Sequence, residues 1–193
     1  SSVTGAADTK CIVGYCQMNT NSTSKYTFPI GSSSYLRTAS VTPTSSAATS
    51  YIANYTNGSY GSFTYSQGNG TIDHAVATEY WDINRLSGSA DCYIELSYDA
   101  NTGADNNYAD FIVAHYTSNA WESTGNTATV TGDASTGTVA TTVAVSSFSP
   151  FTRGSKSVAV PVPVELNISL VENDELTVLY KKAARRFPSK VLL

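Results

Sequence analysis

His74 and His115 are the only two histidines in this chain of 193 residues, so any general-base chemistry on an imidazole must run through them. Serine is abundant, and a Ser/His/Asp grouping is compatible with the composition. No G-x-S-x-G elbow is present, however, and no local spacing sets a nucleophile beside a base. A surface or half-buried strand position accounts for both histidines more simply. Asp73, Glu79 and Asp82 flank Trp81, and two carboxylates beside an aromatic ring are the inventory of a glycoside hydrolase. Strand-edge carboxylates look the same in sequence. No residue is therefore assigned a catalytic, cofactor-binding or metal role, and the chain is expected to be no enzyme.

Other residue types suggest weaker chemistry. Asp99-Ala100-Asn101-Thr102-Gly103-Ala104-Asp105 through Asp110 places oxygen side chains at alternate positions, as a calcium loop does. It lacks the oxygen side chain at its fifth position, the glycine at its sixth and the final glutamate. A polar hairpin loop with Asp and Asn capping turns explains the 99–110 segment as well. Tyr51, Tyr55, Tyr60 and Tyr65 could stack on sugar rings if exposed, Tyr51 and Tyr55 sharing one strand face, or could pair across strands. The three cysteines are Cys11, Cys16 and Cys92. On one strand, Cys11 and Cys16 would stand about 16 Å apart at roughly 3.3 Å per residue. A disulfide needs Cα atoms within about 7 Å, so that pair closes only if Gly14 folds the strand. Cys92 could join either, and an odd count leaves one thiol over. No Cys/His spacing resembles a zinc site.

Composition narrows the setting. Charged residues make up 13% of the chain and the net charge is −4. That balance excludes a nucleic-acid partner, which needs a basic face. No run is long enough for a transmembrane segment, and no signal peptide opens at Ser1, as in a processed form or an excised fragment. Lys181, Lys182, Arg185, Arg186 and Lys190 crowd the end of the sequence. They read as a solvated terminus, or as a contact for an acidic partner or a surface polysaccharide.

The elements that must position these residues are strands. Alternating or β-branched runs fall at Lys10–Gln17, Lys25–Ile30, Tyr35–Thr42, Ser50–Thr56, Ser62–Ser66, Ala75–Leu86, Cys92–Tyr98, Phe111–Thr117, Thr127–Thr131, Thr138–Phe148, Val158–Val171 and Glu175–Lys181. Turn formers such as Asn57-Gly58 and Gly132-Asp133 fill the gaps, and only Lys181–Arg186 could make a helical turn. Many short strands at this spacing predict an all-β fold, an antiparallel two-layer β-sandwich of jelly-roll or immunoglobulin-like type. Cys92, Ile94, Leu96 and Tyr98 share one face and predict its inside, with Trp81 as a core anchor. The longest alternation runs Val158, Val160, Val162, Val164, Leu166, Ile168, Leu170, with Pro161 and Pro163 suiting an edge. It predicts an extended strand whose end folds back through Glu172-Asn173-Asp174 onto Glu175–Lys181 as a hairpin. The expected division is a sandwich over 1–164 and an extension over 165–193, docked on the sandwich or opening a next module.

The order of these segments resembles a β-rich module of large secreted or surface-attached proteins of Gram-negative bacteria that use the type IX secretion system. The resemblance runs through Val13-Gly14-Tyr15, Tyr26-Thr27-Phe28-Pro29-Ile30-Gly31, Glu79-Tyr80-Trp81-Asp82-Ile83 and Ile94-Glu95-Leu96-Ser97-Tyr98-Asp99. It continues in Phe111–Tyr116 with Trp121, then Val145–Thr152, Gly154-Ser155 and Pro163-Val164-Glu165-Leu166. It implies a non-catalytic, extracellular module, held at the cell surface by the outer membrane or secreted, with a structural and adhesive role. The implied partners are neighbouring modules of the same polypeptide, met through the apolar strand 158–170, and surface glycans. Alternatives are a filament or fimbria-like subunit, joined to identical subunits by strand addition through 158–170, and a glycan- or calcium-binding module. The cysteines lie outside the resemblance.

Overall fold

A computed structural model describes residues 5–61, 72–100, 110–125, 127–156, 165–170 and 176–181. Within 165–170 and 176–181 it describes the backbone alone. Contacts divide the chain into two units, Ser1–Val158 and Ala159–Leu193.

The first unit is an all-β sandwich of two antiparallel sheets, as the alternation predicts. One sheet has seven strands. In spatial order six of them are β1 (Cys16–Thr20), β4 (Thr49–Asn57), β6 (Glu79–Ser87), β12 (Pro150–Lys156), β8 (Phe111–Thr117) and β9 (Ala120–Ser123), and β5 (Ile72–Ala75) pairs with β12 beside β6. The other sheet has five, in the order β10 (Ala128–Gly132), β11 (Thr136–Thr141), β7 (Cys92–Asp99), β3 (Ala39–Pro43) and β2 (Tyr26–Phe28). The period-2 faces meet between them: Ile94, Leu96 and Tyr98 of β7 pack with Tyr51 and Tyr55 of β4 and Trp81 and Ile83 of β6. Trp81 is fully buried and donates Nε1–H to the carbonyl of Arg37 at 3.0 Å, so its one polar atom is satisfied.

Several segments differ from the sequence reading for local reasons. Lys10–Gln17 is not one strand: Gly14 takes φ +120° and β1 starts only at Cys16. Before that break, Ile12 makes a parallel bridge to Ile30, so residues 10–15 strap across to the other sheet. Ala75–Leu86 breaks at Val76–Thr78 into β5 and β6. Thr152 Oγ1 stands at the break, 2.7 Å from the carbonyl of Glu79 and 3.3 Å from that of Val76. Thr138–Phe148 ends as a strand at Thr141, after which Val143 is exposed while Val145 bridges to Cys92. Two strands escaped prediction, β9 and the central β12. The latter opens on Pro150 and carries Arg153 and Lys156, which read as loop in a sequence. Ser62–Ser66 and Lys182–Arg186 lie outside the described residues.

The second unit contains β13 (Glu165–Leu170) paired antiparallel with β14 (Leu176–Lys181), from Glu165↔Lys181 to Leu170↔Leu176. This is the predicted hairpin. Residues 158–164, the first half of the apolar ribbon, lie outside the described residues.

Register gives the sandwich two distinct poles. Glu79, Asn57, Asp99 and Thr136 stand at one, and Thr20, Thr49, Ser87, Cys92 and Pro43 at the other. β12 runs toward the first pole and leaves it after Lys156, and the strap with Ile12 beside Ile30 lies at that pole too. Among the described residues, the strap and the end of β12 at Lys156 both lie at the near pole, while turns join the strands at the far pole.

Close backbone approach makes Gly137 irreplaceable. A Cβ there would collide with the carbonyl of Thr131 and the ring of Tyr98. Tyr98 is pinned by its hydroxyl near the carbonyls of Thr131 and Asp133, at 3.1 and 2.9 Å. Gly137→Ala is expected to lower stability by about 1–3 kcal/mol through overpacking. Urea denaturation followed by tryptophan fluorescence measures this, and an unchanged midpoint would contradict it.

Candidate functional site

The residues that could do chemistry do not converge. Glu79 and Asp82 are three residues apart on β6 and so point to opposite faces of the sheet. Glu79 faces the interior, whereas Asp82 lies on the outer side, where Tyr15 Oη donates to it at 2.8 Å and Asn84 Nδ2 at 2.8 Å. No glycosidase pair forms from them. The Asp73 side chain lies outside what is described. His115 is buried and stacks on Phe151 with ring centres 4.5 Å apart and planes 12° from parallel. Burial holds its imidazole down at about 4, so it is neutral at physiological pH. His74 sits on β5 opposite Ser155 of β12.

The interior near the first pole holds a knot of charges that the sequence reading missed. Arg37, just before β3, and Glu79 are both 2% exposed. Arg37 Nε lies 3.4 Å from Glu79 Oε2, and its NH2 lies 2.6 Å from Asp99 Oδ1. Tyr55 Oη donates to Glu79 Oε2 at 3.0 Å. Arg153 of β12 places its guanidinium 4.4 Å from the centre of the Phe111 ring and 5.4 Å from that of Tyr98. Glu79 Oε1 has no hydrogen-bond partner among the described residues. Burial pushes the Glu79 carboxyl up to about 7 against the opposing pull of Arg37, Tyr55 and Arg153. The knot joins both sheets at the root of the segment after Asp99. Arg37 and Glu79 are shielded from solvent, while Asp99 is partly exposed.

The other expectations resolve individually. Tyr51 and Tyr55 are buried, so they form no exposed platform: Tyr51 donates to the carbonyl of Ala90 at 2.6 Å, and Tyr55 packs against Trp81 with tilted rings 5.3 Å apart. Tyr60 packs against Tyr80 and Tyr116 at 5.1 and 5.0 Å. Tyr65 lies outside the described residues. Within the calcium-like segment, Asp99 is engaged by Arg37, and 101–109 fall outside the description. Cys11, Cys16 and Cys92 are all free thiols. Burial pushes the Cys92 thiol up to about 12.

A hollow of about 400 Å³ opens at the far pole, where β1 and β6 end and β4 begins. Asn19, Thr20, Asn21, Thr49, Ser50 and Ser87 line it together with Ala48. Nothing in so Ser/Thr-rich a sequence marks these positions, because only the register of three strands brings them together. Arg37 did carry a signal, being a lone charge between Tyr35-Leu36 and the strand beginning at Ala39, whereas Arg153 sits among Thr152, Gly154, Ser155 and Lys156 and carried none.

No protein-family model matches this chain, and neither a curated protein nor a solved structure matches it. Fold and site define a class by themselves: a two-layer antiparallel β-sandwich with a charged interior knot, the strap and the end of β12 at one pole and a neutral polar hollow at the other.

Proposed function

We propose that this chain is a non-enzymatic, extracellular structural and adhesive module of a bacterial surface protein, of the kind that uses type IX secretion. The observation that carries this reading is polarity. The strap and the end of β12 at Lys156 share the near pole, which supports attachment to the rest of the polypeptide there and contact through the far pole. Exposed Ile12, Val13 and Tyr15 lie in or beside the strap and supply apolar surface for that neighbour. The placement of the titratable side chains also supports it, since Glu79, Arg37 and His115 are spent in the interior. Beads carrying the full chain through a tag at Leu193 are expected to resist shear flow on mucin-coated or matrix-protein-coated glass. Retention no better than bare beads on both surfaces would remove the adhesive reading. Turnover of chromogenic glycosides or esters that Glu79→Gln or His115→Phe abolishes would remove the non-enzymatic one.

A further inference from the structure

The hollow at the far pole has an unusual hydrogen-bond ledger. Thr49 Oγ1 is fully engaged, donating to the carbonyl of Ala47 at 2.9 Å and accepting from the amide of Ala90 at 3.3 Å. Thr20 Oγ1 is engaged with Ser22, 3.3 Å from its carbonyl and 3.1 Å from its amide. Gln17 Nε2 donates to Ser50 Oγ at 3.0 Å and approaches Asn19 Oδ1 at 3.4 Å. What remains is the NH2 of Asn19, the O–H of Ser50, the whole amide of Asn21 and the hydroxyl of Ser87. Each is neutral, and together they offer donors and acceptors around one space.

That inventory selects a ligand class. No charged side chain lines the hollow, so neither an anion nor a cation gains Coulomb energy from a partner there. Ala48 is the one apolar side chain of the lining, so a hydrophobic ligand would find no large aliphatic or aromatic group to pack on. A group that both donates and accepts, repeated on adjacent carbons, matches mixed amides and hydroxyls. Five of the seven lining residues are strand ends, and Asn21 and Ala48 directly adjoin β1 and β4. Gly88, at φ +85°, brings Ser87 against Ala48 and Thr49 so closely that a Cβ on it would collide with the Ala48 carbonyl.

We propose that this far-pole hollow binds a neutral saccharide through Asn19, Asn21, Ser50 and Ser87. The proposal rests on the adhesive reading above and names the chemistry of its contact. An open, uncharged site that orders its ligand with hydrogen bonds alone has a millimolar dissociation constant, which suits adhesion through many copies.

Nitrogen-15 correlation spectra of the full chain, titrated separately with glucose, galactose, mannose, fucose and N-acetylglucosamine, test it. At least one sugar is expected to shift the side-chain amides of Asn19 and Asn21 and the backbone signals of Ser50 and Ser87 saturably. The doubly substituted Asn19→Ala/Asn21→Ala variant, whose changes are on exposed side chains, is expected to keep a dispersed spectrum and bind about tenfold more weakly. Ser87→Ala provides a second, single-atom readout in the same direction. The proposal fails if no sugar shifts those signals, if the variants bind like the parent, or if calcium chloride or inorganic phosphate saturates the site while the sugars do not. Bead retention on a matrix-protein coat without sugar-induced shifts would retire this site and leave the adhesive reading standing.

Discussion

Arg37→Met is expected to cost about 3–5 kcal/mol at pH 8, because it removes the charge facing two carboxylates in the interior. Glu79, 2% exposed, would keep Tyr55 and the more distant Arg153 but must protonate or stay charged at greater cost, and Asp99 would lose a contact of 2.6 Å. Burial makes that ionised state expensive, and the native pair only partly offsets it. The cost has a signature that distinguishes it from lost packing. Glu79 already titrates at about 7 with Arg37 in place, and without the guanidinium its carboxyl must go higher still. At pH 5 it is protonated in either protein, so the penalty of Arg37→Met shrinks there and grows as pH rises. The Arg37→Met/Glu79→Leu double variant removes charge and partner together and is expected to recover most of the loss. Urea midpoints at pH 5 and pH 8 for the parent, both single variants and the double variant close the cycle. Equal costs at the two pH values would mean that Arg37 matters for its volume alone.

Why sequence reading reached the sandwich but not this knot is a matter of range. Alternation is local: the face Cys92–Ile94–Leu96–Tyr98 can be recognised without knowing what it meets, and it is buried as read. The hairpin of β13 and β14 is equally local, two alternating runs around Glu172-Asn173-Asp174. The knot is not local, because Arg37, Tyr55, Glu79, Asp99 and Arg153 come from separate strands and strand ends and meet only through the stacking of both sheets. Glu79 looked like an exposed carboxylate because its neighbours Tyr80 and Asp82 are polar, and parity alone sends it inward. The same parity overturns Tyr51 and Tyr55 as a surface platform, since they share a face with Ala53, which is core. β12 failed for a different reason: proline, arginine and glycine argue against a central strand unless each has a specific niche. Pro150 sits at its start, Gly154 takes the tight approach to His74, and Arg153 has aromatic faces on which to lie.

Two buried groups titrate in opposition, and the pH profile of stability is expected to hide both until one is removed. Glu79 is raised from its ordinary 4.5 to about 7, so between those values the folded chain binds more protons than the unfolded chain. Its contribution is fully present below about 4.5 and is lost as pH rises through 7. His115 is lowered from 6.5 to about 4, so there the unfolded chain binds more protons. Its contribution is present above 6.5 and is lost as pH falls through 4. The windows overlap between 4.5 and 6.5, where the slopes, each up to about 1.4 kcal/mol per pH unit, cancel. His115→Phe keeps a ring against Phe151 and removes an Nε2 that has no partner among the described residues, so it should fold well. Relative to the parent, its stability is expected to fall as pH rises from 4 to 6.5, the window of the imidazole it lacks, which leaves the slope of the carboxyl exposed. Glu79→Gln is expected to do the reverse, gaining stability relative to the parent as pH rises from 4.5 to 7. Exposed groups such as Asp133 titrate alike in all three proteins and drop out of the differences. If both variants track the parent's urea midpoints from pH 4 to pH 8, neither group carries the burial cost that its place in the core imposes.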